Sequence, residues 1–166
     1  MPVTDVQQDL DNLTLTITAE FAAPVERIWQ IYADPRQLEK VWGPPTYPAT
    51  VVEHDLAPGG TVTYYMTGPE GDQHHGWWRV RTVDAPSLLE FEDGFADEHG
   101  TPNSEMPTTV TRVTLTESEA GVTDMQIVTT FPSPEAMEQM VAMGMEEGIT
   151  AAVGQIDELI EAHGVR

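Results

Sequence analysis

The sequence of 166 residues contains no cysteine, a single lysine and no long apolar run. Without cysteine, disulfide bonds and thiolate chemistry are excluded, whether the thiolate would be a nucleophile or a metal ligand. No stretch reaches the ~18 apolar residues that a membrane-spanning helix needs, and the first residues are polar and acidic rather than basic and then apolar. We therefore expect neither a membrane span nor a signal peptide, and a cytoplasmic location.

Positive charge is also scarce, because 7 Lys and Arg residues face 28 Asp and Glu residues and the formal net charge is -21. Such a charge repels phosphate backbones and anionic headgroups, so neither nucleic acid nor a membrane surface is expected as a partner. Two origins fit this composition. One is a salt-loving organism, in which salt screens the self-repulsion, and the other is an acidic protein from a genome that prefers arginine. In both cases the charge concerns solubility rather than catalysis.

The length predicts a single domain over residues 13–166, preceded by a flexible N-terminal arm over residues 1–12, which lack periodicity. Apolar and polar residues then alternate, which predicts a half-buried strand over residues 13–21. Pro24 begins an amphipathic helix, where its missing N–H is harmless. Asp34-Pro35 ends that helix and starts a second short one.

The middle of the sequence consists of short strand candidates separated by turn signals, which is typical of an antiparallel meander. The six predicted strands are 50–56, 61–67, 75–83, 87–92, 109–116 and 123–131, with a long loop over 93–107. A final helix is predicted from Ser133 to about Ala162. The pattern predicts an α+β fold in which about seven curved antiparallel strands are crossed by the C-terminal helix. A straight helix in a curved trough leaves a cavity.

Several short motifs along this order of elements resemble a known family. They are residues 23–29 (APVERIW), 41–44 (VWGP), 57–62 (APGGTV), 68–71 (GPEG), 76–78 (GWW) and 144–148 (GMEEG). The element order resembles the helix-grip fold of the START or birch-pollen-allergen-like superfamily, also called SRPBCC. The motifs resemble its branch of heat-shock-protein ATPase activator homologues. This resemblance implies binding of a small hydrophobic molecule under the long helix, and it supplies no shared catalytic signature.

Strand alternation and helical spacing predict the wall of the ligand cavity. On the strands, Val80 shares a face with Trp78, which favours Trp78 as the inward residue. Tyr64 and His75 are predicted to supply polar contacts at the rim, and Glu147 is the titratable candidate beside the cavity. The full predicted set is Trp42, Val62, Tyr64, Met66, His75, Trp78, Met140, Gly144, Glu147 and Gly148.

No metal site or cofactor site is predicted. His74 and His75 are adjacent on a strand and point to opposite faces, so they cannot both bind one metal ion from that geometry. The acidic loop 93–103 lacks the ligand spacing of a calcium-binding loop, and is predicted to be a surface loop or a lid over the cavity mouth. Gly59-Gly60 is a turn between strands rather than a phosphate-binding loop before a helix.

Three functions remain open at this point. The first is a protein that binds a small hydrophobic molecule, and the second is an enzyme of the cyclase or hydratase type acting on such a molecule. The third is a co-chaperone-like interaction module, which predicts an exposed apolar patch outside the groove. A homodimer is also possible, and no catalytic residue is identified from the sequence.

Overall fold

The computed structural model describes residues 3–163 and has the predicted α+β architecture. Eight antiparallel strands form one open sheet, in the order β1-β2-β8-β7-β6-β5-β4-β3. The strands are β1 Val3–Asp9, β2 Thr14–Phe21, β3 Ala49–His54, β4 Thr61–Thr67, β5 Gln73–Asp84, β6 Leu88–Ala96, β7 Thr109–Glu119 and β8 Val122–Thr130. The helices are α1 Val25–Ala33, α2 Pro35–Trp42, α3 Pro134–Ala142 and α4 Met145–His163.

Part of the predicted flexible arm is strand β1, which corrects the sequence-based expectation. Val3–Asp9 pairs antiparallel with β2 and forms one edge of the sheet. A register shift between Val3 and Asp5 interrupts the regular alternation, so that Val3 and Val6, three positions apart, are the residues that pack against the core. A bulge of this kind removes the period-two signal on which strand prediction depends.

The two short helices form as expected, and α2 connects the sheet to the C-terminal helix. The Asp34 side chain accepts a hydrogen bond from the Arg36 backbone N–H, which caps the start of α2. At the other end, the Gln155 side chain of α4 donates to the carbonyl oxygen of Gly43 over 2.6 Å. This bond ties α4 to the end of α2, and α2 also packs beside β3.

The predicted C-terminal helix is two helices rather than one. Helix α3 ends at Ala142 and α4 begins at Met145. Between them Gly144 has a φ of 89°, a left-handed conformation that glycine adopts readily and that ends a helix. The apolar spacing continues across the break, and this is why periodicity alone predicted one element.

Most inward-facing side chains form one apolar core between the sheet and the helices. Alternate residues of β2 are buried, from Leu15 to Phe21, and Val153, Ile156 and Leu159 of α4 pack against the same cluster. A smaller cluster around Phe131 and Met137 covers the region near α3. Within residues 3–163 the helices are all too short or too polar to cross a membrane.

Two glycines near the helix break are expected to respond in opposite ways to alanine. Gly144→Ala forces an L side chain into the left-handed region, so we expect a loss of about 1–2 kcal/mol of unfolding free energy. Gly148→Ala is the matched control. Its added Cβ meets no atom within 4 Å, and replacing a helical glycine by alanine gains about 0.5 kcal/mol or more. Urea unfolding of both variants measures the two changes, and equal losses at both positions would contradict this account of the break.

Candidate functional site

A cavity of about 530 Å³ lies between the concave side of the sheet and the helices. Its volume falls in the usual range for sites that hold small molecules. Strands β4 to β8 form one wall, and α2, α4 and the α3–α4 break form the other. The wall is mostly apolar, and its helix side includes Leu38, Val41, Trp42, Met140, Met143, Met145, Gly148, Ile149, Ala152, Val153 and Ile156.

The structure brings six of the ten predicted cavity residues to this wall: Trp42, Tyr64, Met66, Met140, Gly144 and Gly148. Their convergence follows from the predicted alternation on β4 and from the helical spacing around the break at Gly144. Whether these side chains contact a ligand stays a prediction.

The four other predicted residues lie elsewhere. Val62 and Trp78 point inwards as predicted, but both are 0% exposed and belong to the packed core behind the cavity wall. The alternation that turns Trp78 inwards turns His75 to the opposite face, where its ring lies 5.5 Å from that of Tyr65. Glu147 is exposed on the first turn of α4.

An aromatic cluster closes the end of the cavity near α2. The Trp42 ring meets Trp78 edge-on at 4.7 Å between centroids, and Trp78 stacks on Phe91 at 3.9 Å. The indole nitrogens Nε1 of Trp42 and Trp78 are both buried, and neither makes a hydrogen bond within ordinary limits of distance and angle. Buried donors without partners are uncommon in folded proteins.

Tyr64 projects into the cavity because the neighbouring strand leaves room for it. Its cross-strand partner is Gly76, and a Cβ at Gly76 would overlap the ring and the hydroxyl oxygen of Tyr64. Burial and the charge of Asp93 raise the pKa of the Tyr64 phenol well above its usual range, whereas the N–H groups of Trp42 and Trp78 act in the opposite direction. Tyr64 is therefore a neutral hydrogen-bonding group at physiological pH.

Asp93 is the titratable group on the cavity wall that the sequence reasoning missed. It was assigned to the loop 93–107, but β6 continues to Ala96. A signal for this placement exists in the sequence: Leu89, Phe91, Asp93 and Phe95 alternate, and the two apolar residues Leu89 and Phe91 are 0% exposed. The polarity of Asp93 is typical of a loop residue, whereas its position in β6 places it on the inner face of the sheet.

Burial raises the pKa of Asp93 to about 7. The Thr109 hydroxyl donates a hydrogen bond to its Oδ1, and this bond opposes the rise, as does a contact with Thr111, whereas the neighbouring Glu92 adds to it. Desolvation has the largest effect, because a charged carboxylate loses more hydration than a neutral carboxylic acid does. Asp93 therefore exchanges its proton near neutral pH.

The cavity opens towards solvent beside His74, Phe95 and Met143, which also line a shallower depression outside it. His74 is held by the Asp72 carboxylate at 2.6 Å, and the ring of Tyr47 lies 5.6 Å from its imidazole. Of the loop residues 97–107, all within the described chain, Glu98, Asn103 and Met106 line the outer depression, and none lines the cavity. This placement favours the surface-loop interpretation over the lid.

The described residues include no group of three or more His, Asp or Glu side chains placed to hold a metal ion. His54 has its Nε2 within 2.8 Å of the carbonyl oxygen of Tyr32. His99 is exposed beside Glu98. The absence of a metal and of a cofactor stays a prediction.

The fold and the cavity together define a helix-grip protein, in which an antiparallel sheet grips a C-terminal helix over an internal space. The sequence profile of the family described as "Activator of Hsp90 ATPase homolog 1-like protein" (AHSA1) matches residues 22–161. The chain belongs to this family, which confirms the resemblance inferred from its motifs.

Solved structures agree with this assignment. A crystal structure of a Mycobacterium smegmatis protein is 59% identical, with 96% of this chain and 97% of that chain covered and a TM-score of 0.88. A solution structure of an Arthrobacter aurescens protein is 49% identical over 96% of this chain and 92% of that chain, with a TM-score of 0.92. A Staphylococcus epidermidis protein, 23% identical over 98% and 97% of the two chains, shares the fold with a TM-score of 0.83. No curated protein matches the chain.

The raised pKa of Asp93 predicts a specific pH dependence of stability. Below about pH 4 the folded and unfolded chains both carry the proton. Between about 4 and 7 only the folded chain keeps it, so wild-type stability falls as pH rises through this range. Asp93→Asn removes this loss. We therefore expect the unfolding free energy of the variant, relative to that of wild type, to increase by ~2–4 kcal/mol from pH 5 to pH 8.

Urea unfolding at the two pH values measures the gain. Asp97→Asn is the matched control, because backbone N–H groups of Thr101 and His99 lower the pKa of Asp97. The wild-type contribution of Asp97 is fully present at both pH values and is lost only below about pH 4, so the difference between wild type and Asp97→Asn should be the same at pH 5 and pH 8. A pH-independent difference between wild type and Asp93→Asn would contradict the placement of Asp93.

Proposed function

We propose that this protein binds a small, mostly apolar molecule in the cavity between the sheet and α4. The observation that carries the proposal is the cavity itself, about 530 Å³ with a largely apolar wall, within a core whose other inward side chains are tightly buried. Protein interiors otherwise pack with few voids larger than a water molecule. Membership of the family supports a ligand-binding or co-chaperone-like module in general terms.

The energetic cost of glycine at position 148 supports the interpretation of this space as a ligand cavity. Gly148 lies in α4 on the cavity wall, and a Cβ there would meet nothing within 4 Å. No close backbone contact therefore requires glycine, although glycine destabilises a helix by up to about 1 kcal/mol relative to alanine. What its missing side chain provides is space inside the cavity.

The co-chaperone alternative has less support from the surface. The large apolar side chains with the highest exposure are Leu10, Val52 and Met143. Leu10 follows β1 and Val52 belongs to β3, the opposite edge of the sheet, whereas Met143 lies at the cavity mouth. They do not form the contiguous patch that a protein-binding surface requires.

Filling the cavity provides the direct test. Gly148→Phe places a ring in open space within the cavity, and we expect it to weaken binding of the neutral fluorescent probe Nile red at least tenfold without loss of the fold. Gly154→Phe is the matched control, because it is on the same helix, its Cβ also meets nothing within 4 Å, and it is not part of the cavity wall. Equal binding by wild type and Gly148→Phe would overturn the proposal.

Asp93 favours a second candidate, the cyclase or hydratase type of enzyme. A carboxyl group whose pKa is about 7 suits proton transfer at neutral pH, and Tyr64 beside it is a neutral donor for a developing oxyanion. Asp93 takes the place in this hypothesis that the sequence reasoning gave to Glu147. The substrate would be an apolar molecule with an acidic C–H next to a carbonyl group.

Deuterium exchange measures this activity directly. Acetylnaphthalene in heavy water would lose a methyl proton to the Asp93 carboxylate, so that the C–H electron pair forms a C=C bond and the carbonyl π pair moves to oxygen. The enolate would then take up a deuteron from the solvent at carbon as the carbonyl group re-forms. We expect exchange, followed by NMR, to be faster with wild type than with Asp93→Asn by about 100-fold, a typical general-base contribution. Equal rates with the two proteins would exclude Asp93 as a base.

A further inference from the structure

Four polar side chains on the sheet side of the cavity run diagonally across neighbouring strands. Tyr64 on β4 lies over Gly76 of β5, Asp93 on β6 is paired with Trp78, two residues further along β5, and Thr111 and Thr129 are paired on β7 and β8. All four polar side chains belong to the cavity wall. We call Tyr64, Asp93, Thr111 and Thr129 the polar row. The other polar side chains of the wall are Tyr32 on α1, Tyr47 before β3 and His74 at the mouth, so on the inner sheet surface a bound molecule meets its hydrogen-bonding groups along the polar row.

We propose that the polar row, at Tyr64 and Asp93, binds one uncharged oxygen atom, carbonyl or hydroxyl, of an otherwise apolar ligand. The proposal rests on the proposed function and adds the chemistry of the ligand to it. It also distinguishes three kinds of ligand that the same cavity volume would accept: neutral oxygen compounds, carboxylates and amines.

The surroundings of Tyr64 make its hydroxyl a donor towards the cavity. The Trp42 ring lies edge-on to Tyr64 at 5.7 Å between centroids, the indole nitrogens of Trp42 and Trp78 are buried without hydrogen bonds, and an indole N–H donates but cannot accept. The phenol proton therefore has no acceptor on the indole side. It is available to Asp93 or to an oxygen of the ligand, and a hydrogen bond from a buried donor is worth about 1 kcal/mol.

Charge disfavours an anionic ligand. No Lys or Arg is found on the cavity wall within the described residues, the imidazole of His74 at the mouth is already paired with the Asp72 carboxylate, and the ionised Asp93 would repel a carboxylate directly. The protein as a whole carries a formal charge of -21, which adds a long-range repulsion at low ionic strength. A buried carboxylate without a cationic partner would lose its hydration with no compensation.

The donors around Asp93 disfavour a cationic ligand. Thr109 donates to Asp93, and Thr111 contributes a second contact, so the carboxyl group already has partners. Tyr64 and the two indoles are further donors at the same end of the cavity. An ammonium group has only donors to offer, whereas a carbonyl or hydroxyl oxygen accepts from Tyr64.

Four naphthalene derivatives of similar shape distinguish a neutral oxygen ligand from a carboxylate, an amine and a purely apolar ligand. Acetyl, carboxylate, aminoethyl and isopropyl substituents each place three non-hydrogen atoms on the ring, and their binding is measured by isothermal titration at a pH above 7. We expect acetylnaphthalene to bind wild type at least as tightly as the more hydrophobic isopropylnaphthalene. The carboxylate and the amine should both bind more weakly than the acetyl compound.

The variant Tyr64→Phe removes the proposed hydrogen bond and keeps the ring. It should weaken acetylnaphthalene about fivefold, the equivalent of one hydrogen bond, and leave isopropylnaphthalene unchanged. Tyr65→Phe is the matched control on the next position of β4, where the ring contacts His75 on the outer side of the sheet. It should leave both affinities unchanged.

Each remaining result overturns the proposal in a recognisable way. One such result is tight binding of isopropylnaphthalene together with an unchanged affinity of Tyr64→Phe for acetylnaphthalene. It would support an apolar cavity and contradict the role of the polar row. An amine that binds more tightly than the acetyl compound, and loses that affinity in Asp93→Asn, would identify a cation site instead. Failure of all four compounds, together with failure of Nile red, would overturn the proposed function as well.

Discussion

A helix is nearly straight and the sheet that faces it is curved, so the two cannot touch along their whole length. Here α4 is bonded to α2 through Gln155 and Gly43, and its second half packs into the main core through Val153, Ile156 and Leu159. Near its start the wall contains two positions with a small side chain or none, Gly148 and Ala152, beside the larger Met145 and Ile149. The space left there is the cavity, and the position of the candidate site follows from this mismatch.

Much of this arrangement could be predicted, because alternation and helical spacing report which face is buried. The inward direction of Trp78 and the cavity positions of Tyr64 and Gly148 follow from them. The helix break at Gly144 could not be predicted from the same patterns, because a glycine in an apolar stripe fits either a helix interior or a left-handed helix end. Asp93 was missed for a different reason: a polar residue after a strand is more often in a loop, and this tendency outweighed the alternation that continues from Phe91 through Asp93 to Phe95.

Two physical effects act in opposite directions on the pKa values of particular acidic residues in this chain. On the surface, Asp34, Asp72 and Asp97 have their pKa values lowered by hydrogen bonds, so these groups favour the folded state when ionised. Asp93 behaves in the opposite way, since burial raises its pKa. The large net charge therefore says little about the site. What matters is a single carboxyl group among aromatic rings and hydroxyl groups.

Local departures from stable packing are concentrated at this one place. Asp93 is desolvated without a cation, the indole nitrogens of Trp42 and Trp78 lack hydrogen bonds, and Gly148 occupies a helix position where alanine would fit. Each departure lowers stability, and folded proteins tolerate such departures chiefly where function requires them. Because Asp93, Trp42 and Gly148 line the same cavity and Trp78 packs against Trp42 directly behind its wall, the volume and the polar end of the cavity are the properties that this fold maintains against its own stability. A cavity left merely by poor packing would have no reason to contain Asp93.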